Sequence, residues 1–143
     1  MNVDRIAVIG AGTMGHGISQ VCAANGYRVS LIDIDADQLT RAMSSIERSA
    51  TKLHRKGRLT NEELQGATSN ITTSTEMDAA AEADFVVEAV VENVAVKRKI
   101  FSQLDDLTNP DVILASNTSS ISLTELAATT NRPDKVIGMH FMN

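Results

Sequence analysis

The sequence predicts a doubly wound α/β domain with a mostly parallel sheet. Short apolar runs rich in β-branched residues, such as RIAVI and VILAS, alternate along the chain with longer segments of helical periodicity. The almost continuously apolar run DFVVEAV suits a central strand covered on both faces. Strands that alternate with helices pair in parallel, because each helix carries the chain back across the sheet. With 143 residues, 43% of them hydrophobic, the chain suits a single domain over residues 1–143.

The N-terminal part of the chain predicts two strands and two helices. RIAVIG is a buried strand that ends at Gly10, and the next apolar positions predict a helix over residues 13–25. RVSLID is the second strand. Asp35, with Gln38 three residues later, predicts the start of a long helix that ends before Gly57.

Capping signatures and apolar periodicity also predict the helices and strands in the rest of the chain. Two further S/T-x-x-E signatures begin at Thr60 and Ser122, and each predicts the start of a short helix. A weak strand is expected at residues 71–73. The segment AVKRKIFSQLDDL predicts a helix whose buried face carries Val96, Ile100 and Leu104. KVIGMHF is expected to be the last strand.

Four glycines in the stretch VIGAGTMGHG mark the turn between the first strand and the first helix. A G-x-G-x-x-G pattern in this strand–turn–helix setting is typical of a Rossmann-type dinucleotide site. Its glycines allow a tight turn, a close approach of pyrophosphate and close helix packing, and the helix N-terminus offers free N–H groups to phosphate. The predicted cofactor contacts at this turn are Gly10, Ala11, Gly12, Thr13, Met14 and Gly15.

Asp33, at the end of the second strand, is the predicted partner of the adenine ribose. Its carboxylate can accept hydrogen bonds from ribose hydroxyls and would repel a 2′-phosphate, so the sequence predicts NAD rather than NADP. The alternative is that Asp33 only ends the strand.

Composition argues against several other kinds of partner. A net charge of −5 and only 3% aromatic residues predict no nucleic-acid partner and no anionic membrane surface. The single Cys22 allows no disulfide within the chain, and the N-terminus shows no signal peptide, so a cytoplasmic protein is expected. No metal site is predicted. Six of the thirteen Lys and Arg residues fall between positions 41 and 58. This basic segment is interpreted either as a solvated helix face or as a site for a phosphorylated ligand.

Three later stretches lie where predicted strands end, the edge at which open α/β sheets place their sites. VVEAVVENVAVK holds Glu88, Glu92 and Lys97, and the last two suit either a site or a solvated face. SNTSS, from Ser116 to Ser120, has a simple turn as its alternative. GMHFMN holds His140, which in isolation could be a structural residue.

Together these motifs resemble one family. GAGTMGHGI, LIDID, VVEAVVENVAVKRKIF, ASNTSSISLTELA and VIGMHFMN occur in the order and spacing of the 3-hydroxyacyl-CoA dehydrogenases, especially the bacterial 3-hydroxybutyryl-CoA dehydrogenases. The resemblance covers essentially the whole chain. It implies NAD-dependent oxidation of an L-3-hydroxyacyl-CoA to the 3-oxoacyl-CoA, or the reverse reduction.

The resemblance also implies roles for individual residues. His140 matches the general base, and Ser119 matches the residue that hydrogen-bonds the reacting oxygen beside the nicotinamide. Further cofactor contacts are implied for Glu92, Lys97, Ser119 and Asn143. Contacts with the acyl-CoA substrate are implied for Ser49, Lys56, Ser119 and Asn143.

Members of this family continue beyond the motif H-F-x-N. They carry a glutamate that orients the imidazole and a helical domain that closes the site and forms the dimer. This chain is therefore expected to be the NAD-binding domain, with little or no turnover by itself.

Two alternatives remain open from the sequence. One is a dehydrogenase of free 3-hydroxy acids. Enzymes of that kind resemble this chain at the glycine turn, but they lack SNTSS followed by GMHF. The other is a nucleotide-binding or crystallin-like module with this fold and no catalysis.

Overall fold

One six-stranded parallel sheet with helices on both faces forms the protein in the computed structural model, which describes residues 2–141. The strands are β1 (Arg5–Ile9), β2 (Arg28–Ile32), β3 (Ile71–Ser74), β4 (Phe85–Glu88), β5 (Ile113–Ser116) and β6 (Val136–Gly138). The helices are α1 (Thr13–Ala24), α2 (Ala36–Arg55), α3 (Asn61–Ser69), α4 (Val94–Leu107) and α5 (Leu123–Ala127). Two short 3₁₀ turns lie at Met77–Ala80 and Pro133–Lys135.

The strand order is β3-β2-β1-β4-β5-β6, and every neighbouring pair is parallel. The chain therefore starts at the middle of the sheet, winds outward to β3 and returns to continue on the other side of β1. This confirms the doubly wound fold. The strand order reverses between β1 and β4, so their carboxyl ends border the crevice where such sheets bind ligands.

The core has one layer on each face of the sheet. On one face, β-strand residues pack against Ile18 of α1 and Leu39 of α2. On the other face, they pack against Phe101 and Leu104 of α4 and Leu126 of α5. Burial on both faces explains why the middle strands are almost wholly apolar. No helix within residues 2–141 has the length and apolar character that crossing a membrane requires.

The three predicted helix starts are confirmed, with different side-chain partners. Asp35 accepts hydrogen bonds from the N–H groups of Asp37 and Gln38. Thr60 and Glu63 form a reciprocal capping box. Ser122 accepts the N–H of Glu125. Each cap satisfies N–H groups that a first helical turn leaves without partners.

Two details differ from the expectation. In α4, Val96 is exposed and Lys97 is buried in its place, because Lys97 finds anionic partners inside the protein. The last strand is shorter than KVIGMHF and ends at Gly138, so His140 lies just beyond it. Both differences concern the predicted site.

Candidate functional site

The glycine turn, residues 10–15, has a different steric reason for each of its glycines. Gly10 has φ +102°, and a Cβ there would lie 2.7 Å from the carbonyl oxygen of Ala89. A Cβ on Gly15 would lie 1.7 Å from the carbonyl oxygen of Gly10. Around Gly12 the nearest atom would be 3.8 Å away, on the Gln38 amide, so the space above this backbone is open. Two glycines are thus required by packing, and Gly12 leaves room for a ligand.

Helix α1 begins at this opening. Its N-cap, Gly12, makes no side-chain cap, and the first turn contains no acidic residue. The N–H groups of that turn therefore remain available to an anion, and the positive end of the helix dipole favours one. The turn fits the pyrophosphate of a dinucleotide.

Asp33 stands beside the glycine turn at the end of β2. Its Oδ2 accepts the N–H of Ala11 at 2.9 Å, and its Oδ1 accepts the N–H of Asp35 at 2.9 Å. These bonds hold the half-buried carboxylate in place. An ionised carboxylate has about four lone-pair sites, so Asp33 keeps acceptor capacity for a ribose.

Three charged residues, Glu88, Glu92 and Lys97, form what we call the charged cluster at the end of β4. The ammonium of Lys97 lies 2.5 Å from Glu88 Oε2 and 3.1 Å from Glu92 Oε1. It also donates to the carbonyl of Val90 at 3.4 Å. The side chain of Lys97 is 1% exposed and that of Glu88 is 0% exposed. Lys97 therefore lies beneath the surface, and Glu92 is the member that reaches solvent.

Glu92 connects the charged cluster to the SNTSS segment, residues 116–120. Its Oε2 accepts the hydroxyls of Thr118 at 2.7 Å and Ser120 at 2.6 Å. Burial alone would raise the pKa of Glu92, but these two hydroxyls and the Lys97 ammonium outweigh it and lower the pKa to about 2 from 4.5. Glu92 is therefore ionised at neutral pH.

The chain around His140 is held against the end of β5. The N–H of Met139 donates to the carbonyl of Ser116 at 2.9 Å, and the N–H of Phe141 donates to Asn117 Oδ1 at 2.8 Å. Both backbone neighbours of His140 are thus attached to the SNTSS segment. This arrangement brings His140 and Ser119 to one place.

Several predicted site residues line one opening, which we call the strand-end cleft. It measures about 480 Å³ and is lined by Met14, Ala89, Val90, Val91, Glu92, Asn117, Ser119, His140 and Phe141. Four separate parts of the chain contribute: the glycine turn through Met14, the β4–α4 loop, the segment after β5 and the segment after β6. A small substrate and the reactive part of a dinucleotide can meet at such a site.

The remaining predicted residues lie elsewhere. Ser49 and Lys56 are exposed at the end of α2, where Ser49 accepts a hydrogen bond from the Gln20 amide at 3.1 Å. Beside them is a depression of about 530 Å³, lined by Glu47, Arg48, Thr51, Lys52 and Arg55. Asn143 lies outside the described residues.

A larger depression, about 710 Å³, lies at the opposite edge of the sheet. Its lining includes Asp84, Asp111 and Lys135 but none of the predicted site residues. Within residues 2–141, no group of three or more His, Cys, Asp and Glu residues is arranged to hold a metal ion.

The sequence places Glu88 and Asn117 within two of the three candidate stretches but assigns neither of them an individual role. A signal for Glu88 was present, since an acid within the apolar run DFVVEAV must find a partner when it is buried. For Asn117 the sequence indicated no partner, because its bond to Phe141 joins segments that are distant in sequence.

Comparison with known proteins agrees with this architecture. Residues 5–143 match the family described as 3-hydroxyacyl-CoA dehydrogenase, NAD binding domain. The probable 3-hydroxybutyryl-CoA dehydrogenase of Bacillus subtilis is 41% identical over 143 residues, which are 100% of this chain and 50% of that protein. The Deinococcus radiodurans relative of the same name is 47% identical over 141 residues, which are 97% of this chain and 50% of that protein.

A solved structure shows the same fold. The crystal structure of 3-hydroxybutyryl-CoA dehydrogenase from Escherichia coli matches with a TM-score of 0.96 and 42% identity, covering 100% of this chain and 30% of that one. The chain spans about half the length of the Bacillus and Deinococcus relatives. It belongs to the 3-hydroxyacyl-CoA dehydrogenase family, as that family's NAD-binding domain.

Proposed function

We propose that this domain supports the NAD-dependent oxidation of an L-3-hydroxyacyl-CoA, such as 3-hydroxybutyryl-CoA, to the 3-oxoacyl-CoA, or the reverse reduction. The observation that carries the proposal is the strand-end cleft, in which Ser119 and His140 lie with Glu92 beside the glycine turn. Bound NAD would supply the hydride acceptor for the alcohol carbon.

The cofactor is proposed to lie across the carboxyl edge of the sheet. The glycine turn and the first turn of α1 would hold the pyrophosphate, and Asp33 would accept the adenine-ribose hydroxyls. Glu92 and Ser119 would border the nicotinamide end. Lys97, which is buried beneath the cleft, would contribute to cofactor binding indirectly, through its ion pair with Glu92. Asn143 is a proposed contact on the strength of the resemblance alone.

His140 is the proposed general base. It is exposed at the strand-end cleft, so its imidazole can reach a substrate hydroxyl. An imidazole titrates near neutrality, which allows it to accept the hydroxyl proton and return it in the reverse direction. Ser119, exposed on the same cleft, would donate a hydrogen bond to the reacting oxygen.

The acyl-CoA is proposed to extend from this cleft toward the end of α2. Ser49 and Lys56 would contact its CoA part there, next to the cationic side chains of Arg48, Lys52 and Arg55. Clustered cations of this kind suit phosphate groups.

The domain is further proposed to work with a helical domain that is part of a longer protein. The resemblance supports this arrangement, as does the span of about half of the Bacillus and Deinococcus relatives. The same resemblance supports a homodimer or larger oligomer formed through that domain. A cytoplasmic location is proposed as well, and cell fractionation would check it.

Cofactor choice tests the proposed site. We expect the chain to bind NADH more tightly than NADPH, because Asp33 would repel a 2′-phosphate. In Asp33→Asn the preference for NADH over NADPH should become smaller. Asp37 is an exposed acid in the first turn of α2, and Asp37→Asn should leave this preference unchanged. Fluorescence titration with both nucleotides measures the ratio, and equal affinities in the wild type would contradict the assignment.

A further inference from the structure

Glu88 is a buried carboxylate to which the proposed reaction gives no role. It lies at the end of β4, where Oε1 accepts the hydroxyl of Ser116 at 2.6 Å. Its Oε2 accepts the N–H of Val90 at 2.7 Å and the ammonium of Lys97 at 2.5 Å. These three donors hold the 0% exposed carboxylate in one position.

Lys97 is fully occupied by its partners. An ammonium has three donors, and Glu88, Glu92 and the carbonyl of Val90 supply three acceptors. The charged cluster therefore contains one cation and two anions. The ion pair of Lys97 with Glu88 is shorter and more buried than its ion pair with Glu92. Glu88 therefore neutralises more of the Lys97 charge than Glu92 does.

Glu92 carries the excess negative charge to the strand-end cleft. Among the described residues that line this cleft, Glu92 is the one acid, and none is a lysine or an arginine. The nicotinamide ring is a cation in NAD⁺ and neutral in NADH. A carboxylate beside it stabilises the oxidised cofactor more than the reduced one, because only the former carries the opposite charge.

We propose that Glu88 is a positioning residue that sets the choice between oxidised and reduced cofactor. By neutralising Lys97 inside the protein, it leaves the charge of Glu92 free to favour the cationic nicotinamide. This inference rests on the proposed function, since it requires the nicotinamide to lie at the strand-end cleft.

The test compares dissociation constants for NAD⁺ and NADH at pH 8, where an ordinary histidine is neutral. NADH is titrated by fluorescence, and NAD⁺ by competition against NADH. Glu88→Gln keeps the size of the side chain but leaves Lys97 to neutralise Glu92. We expect NAD⁺ to bind about three- to tenfold more weakly relative to NADH, the scale of one charge acting through a partly screened site.

Two further variants separate charge from structure. Glu88→Gln combined with Lys97→Met removes both buried charges and restores the excess negative charge, so the wild-type ratio should return. Glu92→Gln removes that charge at a position that is 42% exposed and should shift the ratio as Glu88→Gln does. Glu82→Gln, exposed at the opposite edge of the sheet, is the matched control and should have no effect.

The outcomes are distinguishable. A ratio that does not change in Glu88→Gln or in Glu92→Gln overturns the inference while leaving the proposed function intact, as does an equal loss of both affinities. A wild-type chain that binds neither nucleotide overturns the proposed function itself.

Discussion

At the scale of single residues, the site depends on how neighbouring atoms hold side chains that are themselves exposed. His140 lies beyond the last strand, yet the N–H groups on both sides of it are bonded to Ser116 and Asn117. Glu92 is exposed, yet two hydroxyls and the Lys97 ammonium hold its carboxylate. Such support reduces the freedom that each group would lose when a ligand binds.

The proposed base is tested in a longer protein that contains this domain. His140→Gln is expected to lower kcat by roughly 10²–10⁴-fold, the usual range for loss of general-base catalysis. NADH affinity should remain within about twofold, since the glycine turn is unchanged. His54→Gln, on α2 and outside the strand-end cleft, is the matched control. Near-normal turnover of the His140 variant would leave that histidine a structural role only.

Glu92 predicts an acid-sensitive contribution to stability. Its folded pKa of about 2 lies below the ordinary 4.5, so the folded state binds this proton less readily than the unfolded state. The contribution is therefore complete above pH 4.5 and is lost as the pH falls toward 2. Urea unfolding between these pH values should show a shallower decline of the free energy of unfolding in Glu92→Gln than in the wild type. An equal decline in the two proteins would contradict the assigned pKa.

At the scale of elements, the join between β1 and α1 is set by close backbone contact. Gly10 passes the carbonyl of Ala89 at the end of β4, and Gly15 lies on the carbonyl of Gly10. These contacts place the first turn of α1 at the crevice between β1 and β4. The helix N-terminus therefore faces the proposed cofactor position, because two glycines allow the close approach.

Two glycines of α1 provide a matched pair of variants. A Cβ on Gly15 would meet backbone at 1.7 Å, whereas a Cβ on Gly17 would meet nothing within 4 Å. Gly15→Ala should therefore lower the free energy of unfolding by about 2 kcal/mol or more through overpacking. Gly17→Ala should raise it by about 0.5–1 kcal/mol, because alanine favours a helix interior. Urea denaturation measures both, and a Gly15→Ala variant at least as stable as the wild type would contradict the close approach described for Gly15.

At the scale of the whole molecule, the sheet brings distant segments to one edge. The glycine turn, Asp33 and the charged cluster all lie at the carboxyl ends of β1, β2 and β4. The ends of β5 and β6 add Ser119 and His140. Most of the proposed cofactor contacts are therefore present within one domain.

The chain of 143 residues is expected to bind NADH but to show negligible dehydrogenase activity. In the proposed site, binding would rely on the glycine turn, Asp33 and the charged cluster. The proposed turnover would also need a carboxylate that orients His140 and a second wall that positions the thioester, and such positioning can be worth ~7–11 kcal/mol of barrier. NADH fluorescence titration beside acetoacetyl-CoA reduction on one preparation checks both. Turnover close to that of a full-length family member would show that the additional domain is not needed.

Much of the fold could be predicted from the sequence, because it depends on interactions between residues that are close together in the chain. Alternation of apolar runs with amphipathic segments predicted the parallel sheet, because strand and helix periods are properties of short stretches. The glycine turn and the capping signals at Asp35, Thr60 and Ser122 were predictable for the same reason, since each satisfies nearby backbone groups. The motifs SNTSS and GMHF indicated the family, which the comparisons confirm.

The tertiary structure alone decided which side chains are buried and which meet. Periodicity placed Val96 on the buried face of α4, but Lys97 lies there because Glu88, from another element, compensates the cost of burying its charge. Arg132 is buried as well, since Asp105 and the carbonyls of Asn109 and Val112 accept its N–H groups. The sequence by itself determined the fold and the edge of the sheet at which the candidate site lies. Pairing between residues far apart in the chain decided the rest, because no local pattern records which partner a buried charge will find.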